Sequence, residues 1–146
     1  MNKPKIVVEQ FLSDLINDIY PSLNNEGAHL YGLENTDTYV SGAATCLDTD
    51  KDIYHLIEKD LNKAYTVMYD ILAFFTFGWA APYQPNVDTP PSEHPEKIRV
   101  LLTMFSYSDG TIISVLKHCD DPTQSFQFQY TDNQGPLYDT LVKLYT

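Results

Sequence analysis

Four places in this chain gather side chains that carry chemistry. His118-Cys119-Asp120-Asp121 is the densest set of metal-ligand types. Adjacent residues on a strand point to opposite sides, so His118 and Cys119 do not reach one ion without a kink, and no second His/Cys pair stands at ligand spacing. Glu93-His94 puts a carboxylate beside an imidazole, the pairing of a general base, but Pro95 holds His94 extended and sequence neighbours rarely face each other. An exposed loop pair near Lys97 and Arg99 is the plainer reading. Cys46 and Cys119 are far apart, with no C-x-x-C motif and nothing resembling a nucleophile elbow. The fourth place is aromatic: Phe74, Phe77, Trp79 and Tyr83, followed by Pro85, Pro90, Pro91 and Pro95. Rings beside prolines make a stiff surface that loses little entropy when a protein partner docks.

No catalytic set, cofactor loop or metal site follows from these residues. Ser41-Gly42-Ala43-Ala44-Thr45 lacks the Lys and glycines of a phosphate loop. His29 reads as a loop group and His55 as a helix-surface group. The expected interaction surface is Phe77, Trp79, Tyr83, Glu93 and His94, with no cofactor and no metal.

The elements that position these residues follow from periodicity. Residues 5–20 carry Ile6, Val7, Val8, Phe11, Leu12, Leu15, Ile16, Ile19 and Tyr20 at helical spacing, and Pro21 stops the helix. Residues 22–49 show no clear pattern. A second helix is expected from Thr49 or Asp50 to Ala64, with Ile53, Leu56, Ile57, Leu61 and Ala64 buried. From Tyr69 to Ala81 the period changes to two: Tyr69, Ile71, Ala73, Phe75, Phe77 and Trp79 share one strand face. Residues 97–107 and 111–118 flank Asp109-Gly110, a strong hairpin signal. Phe126 to Tyr130 alternates as an edge strand, and Pro136 opens a closing helix with Leu137, Leu141 and Leu144.

Read as a two-residue turn, Asp109-Gly110 pairs Ser108 with Thr111, Ser106 with Ile113 and Met104 with Val115. One face then shows Val100, Leu102, Met104, Ile113 and Val115; the other shows Leu101, Phe105, Tyr107, Ile112 and Leu116. Both are apolar, so both must be covered, one by helices and the other by residues 22–49 or by a second subunit. A homodimer is therefore expected as one solution.

The predicted fold is α+β in a single domain over residues 1–146: a four-stranded antiparallel meander sheet with N-terminal, middle and C-terminal helices. The net charge of −11, with 9 basic and 20 acidic residues, disfavours direct binding to nucleic acid or anionic membrane. Arg99 is the lone arginine. Met1-Asn2-Lys3-Pro4-Lys5 runs straight into the first amphipathic pattern, and no apolar run approaches membrane-spanning length, so a cytoplasmic protein with reduced thiols is expected.

From Asp70 onward the order is a strand, the corner Gly78-Trp79-Ala80-Ala81-Pro82, the loop Pro-Pro-Ser-Glu-His-Pro, Lys-Ile-Arg-Val, an Asp-Gly turn, Ile-Ile-Ser-Val-Leu and a final Gly-Pro-Leu-Tyr-Asp-Thr-Leu helix. This half of the chain resembles a group of small uncharacterised bacterial and phage proteins. The resemblance implies no activity and no functional residues. The functional expectation is a small accessory protein, of phage origin as the resemblance implies, that acts through contacts with a protein partner. The alternatives are an acidic mimic that blocks a nucleic-acid-binding protein, and a hydrolase or metal enzyme using His94, His118 or Cys119.

Overall fold

The computed structural model describes residues 5–23, 27–33, 44–80, 93, 95–121, 123, 125–130 and 136–144. The first element is helix α1 (Lys5–Ile19), continued by a short 3-10 turn at Tyr20–Ser22. Strands β1 (Ala28–Leu33) and β2 (Ala44–Asp50) follow, then helices α2 (Ile53–Ile57) and α3 (Asn62–Met68). Strands β3 (Ile71–Ala80), β4 (Ile98–Tyr107), β5 (Ile112–His118) and β6 (Gln127–Gln129) come next, and α4 (Pro136–Leu141) closes the described chain.

Among the described residues the sheet has six strands, not the expected four, in the order β2-β1-β3-β4-β5-β6, with every neighbouring pair antiparallel. The predicted meander is its β3-to-β6 part, four of the six strands. The two additional strands come from the stretch that showed no pattern. β1 is buried at all six positions, so it has no polar side to alternate with. β2 breaks its own period where the register slips opposite Leu30/Tyr31, a bulge on an edge strand.

The β4–β5 hairpin is shifted by one residue from the expected register. Phe105 pairs with Ile113 and Met104 with Ser114. The loop has three residues, not two: Gly110 N–H donates to Tyr107 O (3.0 Å), Tyr107 N–H donates to Thr111 O (2.9 Å), and Gly110 takes φ of 92°. That is a turn completed by a left-handed glycine, the common three-residue hairpin. A one-residue slip exchanges the faces of a strand. Leu101, Phe105, Tyr107, Ile113 and Val115 therefore share one core, whereas Met104 and Ile112 belong to the other.

Both faces are apolar and covered, as expected, but each is covered from within this chain. Helix α1 lays Val8, Leu12, Leu15, Ile16 and Ile19 against Tyr31, Leu33, Phe75, Leu101, Phe105 and Val115; this is face A. On face B, Leu56, Ile57 and Leu141 from α2 and α4 meet Leu30, Leu72, Phe74 and Met104. The described strands of that stretch, β1 and β2, widen the sheet. Covering the second face thus calls for no second subunit.

The single middle helix is broken in two. Asp52, not Thr49 or Asp50, caps α2 by accepting Tyr54 N–H at 2.8 Å. Beyond the break, Leu61 is 55% exposed and Ala64 is exposed, so neither joins the buried stripe. Among the described residues, no helix is long and apolar enough to cross a membrane.

Candidate functional site

Among the described residues, the cover that α1 gives face A does not reach the end of the sheet. Helix α1 stops at Ile19, and Pro21 turns the chain away. β3, β4 and β5 run on past that point. Strand alternation keeps Phe77 and Trp79 on the same side as Phe75, and it brings Arg99 directly opposite Trp79 and Lys117 opposite Leu101. The uncovered end therefore collects rings and cations. Lys97 Nζ lies 4.6 Å from the centroid of Trp79, and the Arg99 guanidinium lies 5.0 Å from the same ring and 5.4 Å from Phe77. Lys117 Nζ lies 4.9 Å from Tyr20 and 5.5 Å from Phe126. Tyr20 packs on Phe77 with centroids 6.4 Å apart.

Lys97, Arg99 and Lys117 are three of the nine basic residues of the chain. Each cation is held over a ring by its quadrupole, a contact of about 0.5–1 kcal/mol at an exposed site. Burial, and after it the Cys119 thiol and the Asp120 carboxylate, raises the Tyr20 hydroxyl above its usual pKa, with Arg99 opposing. Trp79 is 39% exposed. The arrangement gives a flat aromatic anchor with positive charge held beside it.

A second polar group lies at the β2–α2 junction. Lys59 Nζ sits 3.0 Å from Asp48 Oδ2 and 3.2 Å from Asp50 Oδ2, and His55 Nδ1 sits 2.7 Å from that same Asp50 oxygen. Asp50 Oδ1 accepts Asp52 N–H at 3.0 Å. This backbone hydrogen bond, followed by Lys59 and His55, lowers the Asp50 pKa to about 2. The Asp–His pair has the form of a general-base dyad. Among the described residues, however, Asp50 is the only hydrogen-bond partner of the His55 ring, and the His55 side chain is 71% exposed. With the Lys59 ammonium bound between two carboxylates, the cluster ties the end of β2 to α2 and to the residues just after it.

A third feature is a cavity of about 360 Å³ on face B, lined by Leu102, Ser114, Leu116, Gln127, Phe128, Gln129 and Tyr138. The Ser114 and Tyr138 hydroxyls are 2.8 Å apart.

Comparison of this chain with protein-family models, curated proteins and solved structures finds no match.

Of the five residues expected at an interaction surface, Phe77 and Trp79 stand together on the open end of face A. Glu93 is described and exposed; Tyr83 and His94 lie outside the described residues, as does most of the proline-rich connection. His118 and Cys119 end β5 on opposite faces, because His118 pairs with Val100 and Cys119 packs against the α1 core. Among the described residues, no group of three or more His, Cys, Asp or Glu could hold a metal ion. His29 is no loop residue: it is buried on β1, opposite Thr49 and Phe75.

Arg99 beside Trp79, Tyr20 against Phe77, and Lys117 between Tyr20 and Phe126 are not among the residues that the sequence pointed to. The signal was present in the alternation Arg99–Leu101 and Val115–Lys117. It needed the correct hairpin register and the end of α1 before it could be used.

Proposed function

We propose that this protein is a small acidic accessory protein of the cytoplasm that captures a protein partner on the open end of face A. Its contact is an extended acidic segment of the partner that carries an apolar or aromatic side chain. The observation that supports this reading is the Trp79 ring, solvent-exposed and flanked by Lys97 and Arg99. Trp and Arg are the residue types on which binding energy concentrates at protein interfaces. In a chain of net charge −11, three cations gathered at one end of a sheet select a partner of opposite sign there, while the remaining surface repels it. The partner's apolar side chain packs on Phe77 and Trp79, and its carboxylates meet Lys97, Arg99 and Lys117.

Trp79 is the single tryptophan of the chain, so its emission reports this surface alone. Titration with a synthetic peptide alternating glutamate and leucine is expected to give a saturable change in Trp79 emission that weakens with added salt. The peptide with lysine in place of glutamate should give none. Arg99→Ala should weaken the glutamate peptide about tenfold, the equivalent of roughly 1.4 kcal/mol. No saturable change, or equal response to both peptides, would remove the open end of face A as a docking surface.

A further inference from the structure

We propose that the face-B cavity beneath α4 is a binding site for a small uncharged molecule that carries both a hydrogen-bond donor and an acceptor. The site is separate from the Trp79 surface, since the sheet lies between them. Its volume of about 360 Å³ is within the range of small-molecule pockets, far above the packing defects of a core.

The sequence creates this space at Ser114. Along β5 the face-B positions are Ile112, Ser114 and Leu116, and Ser114 is buried at the centre. A branched apolar residue there would fill the gap between β5 and α4. Serine leaves it open and adds a hydroxyl, which meets the hydroxyl of Tyr138 carried in by α4. Leu102 and Leu116 provide the apolar floor. Gln127 and Gln129, two apart on β6, pair with Leu116 and Ser114, share the same face of the strand and line the cavity from its exposed edge. Each amide offers a donor and an acceptor, as does each hydroxyl.

Charge decides the class of ligand. Charged residues make up 20% of the chain, yet none is among the described residues that line this cavity. An ion entering it would give up hydration and find no counter-charge among the described lining residues. A neutral molecule with a donor and an acceptor would exchange its water hydrogen bonds for those of the amides and hydroxyls, and would cover the leucines with its apolar part.

Benzamide, benzoate and benzamidine share one shape and differ in charge, which makes them the probes for this site. With the isotope-labelled full-length chain, benzamide is expected to perturb the backbone resonances of Ser114, Leu116 and Gln127 in a saturable way, at least tenfold more tightly than either ion. Ser114→Leu should fill the cavity and abolish the effect. Gln127→Glu, a substitution at an exposed edge position that leaves the core untouched, should move the preference from benzamide to benzamidine. Failure of benzamide to bind, equal binding of all three probes, or an unchanged preference in Gln127→Glu would each overturn the proposal.

Discussion

The side-chain amide of Asn62 donates to the carbonyl oxygen of Leu56 across 2.9 Å, and to that of Ile57 across 2.8 Å. Those two carbonyls belong to the last turn of α2, where a helix has no internal donors left for them. Asn62 is itself 1% exposed and begins α3, so one residue ends the first helix and starts the second. Asn62→Ala leaves two buried acceptors unsatisfied. A loss of about 2–3 kcal/mol is expected, read from the urea unfolding midpoint. Asn62→Asp should be at least as damaging, because a carboxylate would face two carbonyl oxygens.

The Asp50–Lys59 junction predicts a pH dependence at both extremes. The folded pKa of Asp50 is depressed to about 2 from the ordinary 3.8, chiefly by the Asp52 N–H and then by Lys59 and His55. Its contribution is complete above the unfolded value and is lost as pH falls from about 4 through about 2. The Lys59 ammonium is raised above 10.5 by its hydrogen bonds to Asp48 and then Asp50, so its share holds below that pH and disappears as pH rises through the folded value. In Asp50→Asn the acid slope should flatten relative to the parent. Urea midpoints collected across the acid range check this, and an identical slope in the variant would contradict the assignment.

How much of this was legible in the sequence depended on how strictly each segment kept its period. The α1 stripe from Val8 to Ile19 and the two faces of β3 from Ile71 on match the spacing, but Tyr69, expected beside Ile71, precedes the strand and packs on face B over Gly32. The hairpin was found but misregistered. Asp109-Gly110 fits a two-residue turn, yet Asp109 Oδ1 accepts Thr111 N–H at 2.9 Å and stabilises the longer loop instead. β1 was hidden by burial on both sides, and β2 by its bulge. The break in the middle helix is marked only by Asn62, whose effect depends on a reach back to Leu56 that spacing does not reveal. For the same reason Phe77 and Trp79 could be named from composition, whereas Arg99 and Lys117 joined them only through strand pairing.

Two glycines should respond to alanine for opposite reasons. Gly110 has φ of 92° with open space around it, so Gly110→Ala should cost about 1–2 kcal/mol through backbone conformation alone. Gly32 lies under the ring of Tyr69, where an added Cβ would stand 2.7 Å from Cγ and both Cδ atoms. Gly32→Ala forces that ring to move, at roughly 1–3 kcal/mol. The distinction is testable in a double-mutant cycle. Tyr69→Ala should recover most of the loss in Gly32→Ala and none of the loss in Gly110→Ala.

The tyrosines carry a signature of burial on face A. Tyr130 is raised to about 12, first by burial and then by the Glu9 carboxylate on α1. Tyr31 is raised by burial and by the Cys46 thiol across the β1–β2 pair, and Tyr20 by burial and Cys119. Phenols that resist ionisation when folded contribute stability below the unfolded value of 10.0, and this is lost as pH climbs toward about 12. An alkaline titration followed by phenolate absorbance should therefore show a late component within the eleven tyrosines. Tyr130→Phe should remove the latest part of it, and Glu9→Gln should shift that part to lower pH without abolishing it, because burial remains the larger cause. If Glu9→Gln left the late component where it was, Tyr130 would owe its shift to burial alone, and the α1–β6 contact would carry no electrostatic share.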